Sequence, residues 1–299
     1  GPAADSRAAG AAGAAGAVRQ LLGQRVAGVP LWAFWTAMSL LSIVGFFLDQ
    51  PDGGASAFFI DNKVRRTIHS SGLDRLRYWL KVALLLVSVY IEYVVMFSHA
   101  KEWRRKKDDD ANGESRVGFP VRELICLACG AAFVARVLLQ MAVFWRRSVS
   151  WVEVWAEAGV IIPLSLASMG LGAARRRGAG LGASEAAGVL LFALGTYLNV
   201  GPEYDRHVWK ADPANAGHLY TGGWFGVCRH INYFGEALSF VGFALATSAW
   251  WNLWVPLIMG AGLAYASVPE LDAYLSARYS AEWLAYTQEV TCQMIPFVW

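Results

Sequence analysis

Residues 203–236 read EYDRHVWKADPANAGHLYTGGWFGVCRHINYFGE, a stretch rich in arginine, histidine, asparagine, tyrosine and carboxylate. Strongly apolar segments border it on both sides, Ala183 to Val200 before it and the run from Ala237 after it. Polar chemistry framed in this way belongs at the mouth of a membrane helix bundle. Ionisable groups beside hydrocarbon are costly to keep, so they pair, face a cavity or bind something charged.

The rest of the chain agrees with that reading. Its 299 residues are 56% hydrophobic and only 16% charged, with 14 tryptophans, a composition too apolar and aromatic for an ordinary soluble domain. A bilayer core of roughly 30 Å needs about 20 apolar residues per helix. Such runs occur at Leu31–Leu48, Trp79–Ser98, Leu124–Trp145, Val154–Ala173 and Ala183–Val200. From Ala237 to Ala266 the apolar run is broken by Thr247, Ser248 and Asn252, which predicts a tight helical hairpin of two shorter spans. The expected fold is therefore all-α, a polytopic membrane helix bundle with about seven transmembrane helices, a C-terminal hairpin and ligand-binding loops.

The net charge of +3 is spread over short clusters between spans, Lys63/Arg65/Arg66, Arg104–Lys107, Arg146/Arg147 and Arg175–Arg177, as suits loops near lipid headgroups. Nothing here supports nucleic-acid binding. The basic residues divide evenly between the two faces, so charge sets no orientation. Residues 1–30 form an Ala/Gly-rich, low-complexity start that lacks an initial methionine and reads as a cleavage scar or processed remnant, with a short amphipathic helix expected over Val18–Val29. The segments Asp49–Arg77 and Lys101–Arg116 read as polar loops, the second charged and mobile. Residues 31–299 form one membrane domain, with 31–200 shaping the substrate side and 201–299 the cofactor side.

Cys126 and Cys129 form a CxxC inside an apolar helix with no histidine nearby, which favours a packed core over metal or redox chemistry. Cys228 and Cys292 stand isolated in the sequence, and no metal-ligand pattern is present. Within the spans, Glu92 lies between Tyr90 and Tyr93, Arg136 in the third helix, and Glu153 and Glu157 four apart on one face of the fourth. A carboxylate beside a lipid-accessible cavity could grip a ketone or hydroxyl. Equally, Arg136 could pair with a glutamate and Glu153 could sit in the first turn of a helix capped near Ser150.

Within the polar stretch, Ala211–Gly217 (ADPANAG) is turn chemistry, and Thr221–Gly226 (TGGWFG) supplies glycines for close approach to a ligand, with Trp224 as a stacking surface. This is no Rossmann loop, because GxGxxG after a strand is missing. A helix is expected to begin after Gly226, placing Arg229, Asn232, Tyr233 and Glu236 at i, i+3, i+4 and i+7 along one face, with adjacent His230 pointing elsewhere. Arg229 offers a planar fork for phosphate, Asn232 a donor and an acceptor for a carboxamide, and Tyr233 a hydroxyl on a stacking ring. The same row could instead be a surface pairing of Arg229 with Glu236, with Tyr233 at the lipid interface.

The run KADPANAG, TGGWFG and RHINYFGE, followed by the ending PELDAYLSARYSAEWLAYTQEVTCQMIPFVW, resembles the C-terminal domain of steroid 5α-reductase-like membrane oxidoreductases. In the bacterial and algal branch of that family the signature reads DPANxG, a glycine-tryptophan element, then RHPNYFGE. The sterol C14-reductases, with GWWG and RHPNYLGD, are similar. The resemblance covers about Glu203 to Trp299, a third of the chain. Two departures occur: Ile231 stands where proline is usual, and Glu203–His207 replaces a basic or glutamine-rich stretch.

The resemblance implies NADPH as cofactor, in a cavity roofed by the loop from Lys210 to Gly226 and walled by the Arg229–Glu236 helix and the segment after Pro269. Cofactor contacts would come from Lys210, Asn215, Trp224, Arg229, His230, Asn232, Tyr233, Glu236, Asp272 and Tyr279. The reaction would be reduction of a C=C bond in a lipid, steroid or sterol-like substrate, with Tyr233, Tyr220, Glu92 and Glu157 as candidate proton donors. An endoplasmic reticulum or other organelle membrane is the expected location.

Two alternatives stay open. Isoprenylcysteine and phospholipid methyltransferases share the Arg-His-x-x-Tyr-x-Gly core and use S-adenosylmethionine, but they typically carry a different residue at the Asn232 position and a Glu-Glu pair where this chain has Glu270 and Asp272. The other is a structural or lipid-binding subunit with partners in a membrane complex.

Overall fold

The computed structural model describes residues 16, 21–26, 28–48, 72–109, 120–145, 148–176 and 179–299. The low-complexity start, most of the Asp49–Arg77 segment, Lys63/Arg65/Arg66, Arg146/Arg147 and the end of the charged segment lie outside these residues. Among these residues eight helices follow in order: α1 (Leu31–Leu48), α2 (Gly72–Asp109), α3 (Val121–Phe144), α4 (Glu153–Arg175), α5 (Ala183–Ala211), α6 (Ile231–Ala246), α7 (Trp250–Tyr279) and α8 (Ala281–Glu289). Among the described residues, six of them, α1 to α5 and α7, contain stretches long and apolar enough to cross a membrane. The fold is the all-α polytopic bundle of a multi-pass membrane protein.

Its outer surface is inverted relative to a soluble protein. Phe47, Leu190, Leu257 and Tyr265 are 70% or more exposed, an arrangement that lipid rather than water stabilises. The most buried span is α4, which packs against α1 and α2 and contributes Ile162, Leu166, Met169 and Ala173 to the core. α3 bridges this group to a second one made of α5, α6 and α7.

α5 and α6 meet backbone to backbone. Gly188 and Gly195 on α5 face Gly242 and Gly235 on α6, so that a Cβ at Gly235 would lie 2.5 Å from Asn199 N and 2.7 Å from Gly195 O. Small residues at such a seam let membrane helices approach and gain dispersion contact where no hydrophobic effect drives them together. After α6 the chain turns at Thr247–Ala249, with Ser248 at φ 52°, and returns as α7, giving the hairpin expected from Thr247, Ser248 and Asn252. Asn252 Nδ2 donates to Thr247 Oγ1 at 2.9 Å and its Oδ1 accepts from Ser168 of α4 at 2.7 Å, which satisfies the polar atoms of this buried turn.

Three expectations need correction. The segment Val18–Val29 is not one amphipathic helix: Arg25–Val26 (β1) and Val29–Pro30 (β2) pair as a two-stranded ladder, because Gly28 takes φ 82° and Pro30 cannot donate to a helix. Residues 72–77 and 101–109 are not loop but the two ends of α2, whose terminal Lys, Arg and Glu residues are good helix formers. The third is the start of α6, which falls at Ile231.

Candidate functional site

α6 begins at Ile231, not after Gly226, so Arg229 and His230 precede the helix and do not extend its Asn232–Glu236 face. Gly223–Gly226 forms a 3₁₀ turn with Gly223 at φ 59°. The next residues then pair with the C-terminal segment: Arg229 N donates to Cys292 O at 3.0 Å and His230 N to Gln293 O at 2.9 Å. That pairing takes up the backbone donors that would have extended the helix. Ile231 occupies the first helical position, where proline is favoured, and its fully buried side chain packs with Leu198, Phe225 and Cys228.

Around this junction the polar residues of three segments converge. His230 Nε2 lies 2.6 Å from Asp272 Oδ1 on α7, and Gln293 Nε2 donates to Asp272 Oδ2 at 3.0 Å. Both Asp272 oxygens therefore position protein groups. Arg229 donates from Nη1 to Val290 O at 2.9 Å, sits over the Trp283 ring at 5.9 Å, and reaches Asp272 only at 3.9 Å, a purely electrostatic contact. Tyr233 stacks on His230 with ring centroids 5.5 Å apart and planes 12° apart. Asn232 donates from Nδ2 to Glu203 Oε1 at 2.8 Å, while Arg206 pairs with Glu203 Oε2. Two atoms of this cluster, Arg229 Nε and Asn232 Oδ1, are buried with no hydrogen-bond partner among the described residues. Leaving such groups unpaired is expensive, on the order of 1–3 kcal/mol each.

Glu236 pairs with neither Arg229 nor the cluster. Its Oε2 lies 2.7 Å from Arg136 Nη2 on α3, so Arg136 has the glutamate partner expected of it. Arg136 also lines a shallow, largely open cavity of about 490 Å³ between α3 and α5, walled by Ala135, Leu139, Thr196, Tyr197, Val200 and Tyr204. A ladder of amides links α3 and α5 to the cluster: Gln140 Nε2 donates to Asn199 Oδ1 at 2.7 Å, and Asn199 Nδ2 to Asn232 O at 2.9 Å.

The loop residues lie at the rim. Lys210 Nζ donates to His218 O and sits over the Tyr279 ring at 5.2 Å, which brings those two expected residues together. Asn215 donates to Trp209 O at 2.9 Å and closes the end of α5. His218 Nδ1 lies 2.8 Å from Glu282 Oε1, and Leu219 N donates to Glu282 Oε2 at 2.7 Å, so α8 clamps the loop. Those contacts hold the exposed Glu282 carboxyl below the usual carboxylate range. Trp224 is half-exposed and donates to Tyr197 Oη at 3.2 Å. Tyr220 packs on Trp209 and Phe225, and its burial, with Asp205 nearby, raises its hydroxyl pKa. Beneath it, Tyr286 Oη donates to Phe225 O at 2.7 Å.

The remaining expected acids lie elsewhere. Glu92 is fully buried in α2 against Gly130 of α3 and Gly170 of α4, and its two carboxyl oxygens have no hydrogen-bond partner among the described residues. Tyr90 and Tyr93 do not flank it as a grip but stack on each other at 50% and 47% exposure. Glu157 and Glu153 both pair with Lys81 of α2, at 2.8 and 3.4 Å. Glu153 is also the capping residue expected of it, since Ser150 and Glu153 exchange backbone-to-side-chain bonds at 2.9 and 3.1 Å. Lys81 itself, wholly buried 4.7 Å over the Trp145 ring, escaped the sequence reading; a lone lysine in an apolar run was the available signal.

A 34% identity over 96 residues links the chain to a probable O-methyltransferase, ustE, of Ustilaginoidea virens, covering 32% of this chain and 34% of that protein. The match thus spans about a third of the relative's length. A family described as proteins of unknown function, DUF1295, matches residues 137–290, about half of the sequence, from the end of α3 through α8. That match takes in Asn199, Glu203, Arg229, His230, Asn232 and Asp272, and the chain belongs to the DUF1295 family.

Proposed function

We propose that the chain is a membrane-embedded reductase that uses NADPH to saturate a C=C bond of a lipid or sterol-like molecule. The observation that carries this reading is the pair of buried atoms without a hydrogen-bond partner, Arg229 Nε and Asn232 Oδ1, on residues that flank His230 in the chain. A donor and an acceptor left open in a buried polar cluster suit a ligand that brings both kinds of group, as a nicotinamide dinucleotide does with its carboxamide and phosphates.

In this reading Arg229 and Lys210 hold phosphate oxygens, Asn232 orients the carboxamide through Oδ1, and Trp224 and Tyr279 cover the rim. Glu203 fixes Asn232, and Asp272 fixes His230. When bound, NADPH supplies hydride chemistry. Tyr233, stacked on His230 at the edge of the cluster, donates the proton to the carbon opposite the one that accepts hydride. The 490 Å³ cavity walled by α3 and α5 receives the apolar body of the substrate. Glu92 and Glu157 are left out of the chemistry, the one enclosed by Gly130 and Gly170, the other paired with Lys81.

A second reading, transfer of a methyl group from S-adenosylmethionine, is favoured by the similarity to the probable O-methyltransferase of Ustilaginoidea virens. Calorimetric titration of the purified chain in detergent with each cofactor separates the two. Micromolar binding of NADPH and none of S-adenosylmethionine is the result expected; the reverse result establishes the methyltransferase, and binding of neither ends both proposals.

A further inference from the structure

Cys228 and Cys292, isolated in sequence, are brought together by the fold. Their sulfurs lie 3.0 Å apart although the residues are 64 positions apart in the chain, and both are free thiols. Cys228 is fully buried between Phe225 and Ile231, whereas Cys292 is partly exposed and its Sγ also lies 3.1 Å from Ile295 O. The backbones on which they sit are already paired, through Arg229 N to Cys292 O and His230 N to Gln293 O. We propose that this pair is a modification site: in oxidising surroundings Cys228 and Cys292 form a disulfide that staples the start of α6 to the C-terminal segment.

A sulfur separation of 3.0 Å needs about 1 Å of closure to reach a bond of about 2.05 Å, within the reach of side-chain rotation when the backbones are held together. The oxidant is a small disulfide of the glutathione class. The Cys292 thiolate attacks one of its sulfurs, releasing one thiolate and leaving a mixed disulfide on Cys292. Cys228 then loses its proton and attacks Cys292 Sγ, displacing the second thiol. Two cysteine thiols are oxidised and one small disulfide is reduced to two thiols. The order follows from access, and burial beside Cys292 also pushes the Cys228 thiol up to about 12, so Cys228 is the poorer first attacker.

The staple closes across the two strands of chain that hold Arg229, His230 and Gln293 around Asp272. Cys126 and Cys129, buried in the α3 core, have no such route to an oxidant.

The test treats the purified full-length protein in detergent with oxidised glutathione, alkylates it under denaturing conditions and maps it by mass spectrometry. A loss of about 2 Da, a linked Cys228–Cys292 peptide, and unlinked, alkylated Cys126 and Cys129 are expected. Cys292→Ser should abolish the link, and the oxidised wild type should melt several degrees higher than the reduced protein. Alkylated Cys228 and Cys292 after treatment, or a glutathione adduct that stays on Cys292 unresolved, would overturn the proposal. The outcome is independent of which cofactor the chain binds.

Discussion

His230 on the loop before α6 and Asp272 on α7 meet at 2.6 Å, joining two segments 42 residues apart at the centre of the polar cluster. Gln293 completes the arrangement from a third segment. Replacing Asp272 by Ala leaves the buried His230 ring nitrogen and the Gln293 amide without their acceptor. We expect a loss of roughly 1–3 kcal/mol of stability, seen as a lowered melting midpoint in differential scanning fluorimetry, together with weaker NADPH binding. An unchanged midpoint would show that the contact is not structural.

Asn232 is the sharper test of ligand binding. Asn232→Ala removes the open Oδ1 acceptor but leaves Glu203 with Arg206. The protein should stay folded and lose at least ~10-fold in NADPH affinity, about 1.4 kcal/mol. Titration of the variant against wild type settles this; equal affinities would remove Asn232 from the site.

At its four glycines the α5–α6 seam has no room for a side chain. Gly235→Val places carbon against the Asn199 and Gly195 backbone, and Gly195→Val against Ser239 and Gly235. Each should destabilise by ~1–3 kcal/mol or more and displace Asn199 from Asn232, so both melting temperature and cofactor binding should fall. Gly262→Ala, where a Cβ meets nothing within 4 Å, is the control expected to change neither.

Lys81 tests the assignment of Glu157. Lys81→Ala takes the cation from the part-exposed Glu157, while Glu153 keeps its bond from Ser150 N; the loss should be about 1–3 kcal/mol, and Lys81→Met combined with Glu157→Gln should recover much of it. If the double variant also turns over substrate in a lipid-reduction assay, Glu157 is structural. Loss of turnover with restored stability would return it to the chemistry.

The clamp of α8 on the loop should respond to acid. Glu282 is held below its ordinary value of about 4.5 by the Leu219 N–H and by His218. A lowered folded-state value means that its contribution is complete above pH 4.5 and is lost as the pH falls through the lowered value. Protection of the Leu219 amide against hydrogen exchange, corrected for intrinsic rate, should drop below that point. Glu282→Gln should remove the step.

Sequence alone was enough for the bundle, its first five spans and the α6–α7 hairpin, because bilayer thickness and hydrocarbon impose length and composition on every helix; in place of the two shorter spans expected in the hairpin, α6 has only 16 residues and α7 is one 30-residue span, so six helices among the described residues, not about seven, are long enough to cross. The seam of Gly188, Gly195, Gly235 and Gly242 was not singled out in the sequence; only the fold shows that the pairs face each other. The Asp-Pro-Ala-Asn turn, the Gly-Trp element and Asn232 stood out in the polar stretch. What sequence could not decide is which residues meet. Helical spacing put Arg229 and Glu236 on one face, but pairing of residues 229–230 with 292–293 stops the helix at Ile231, turning Arg229 toward Val290 and leaving Glu236 to Arg136. His230, taken to point elsewhere, became the partner of Asp272, and Cys228 gained Cys292. Local periodicity reports on a single helix; contacts across 42 or 64 positions are set by how the helices pack and where the C-terminal segment returns.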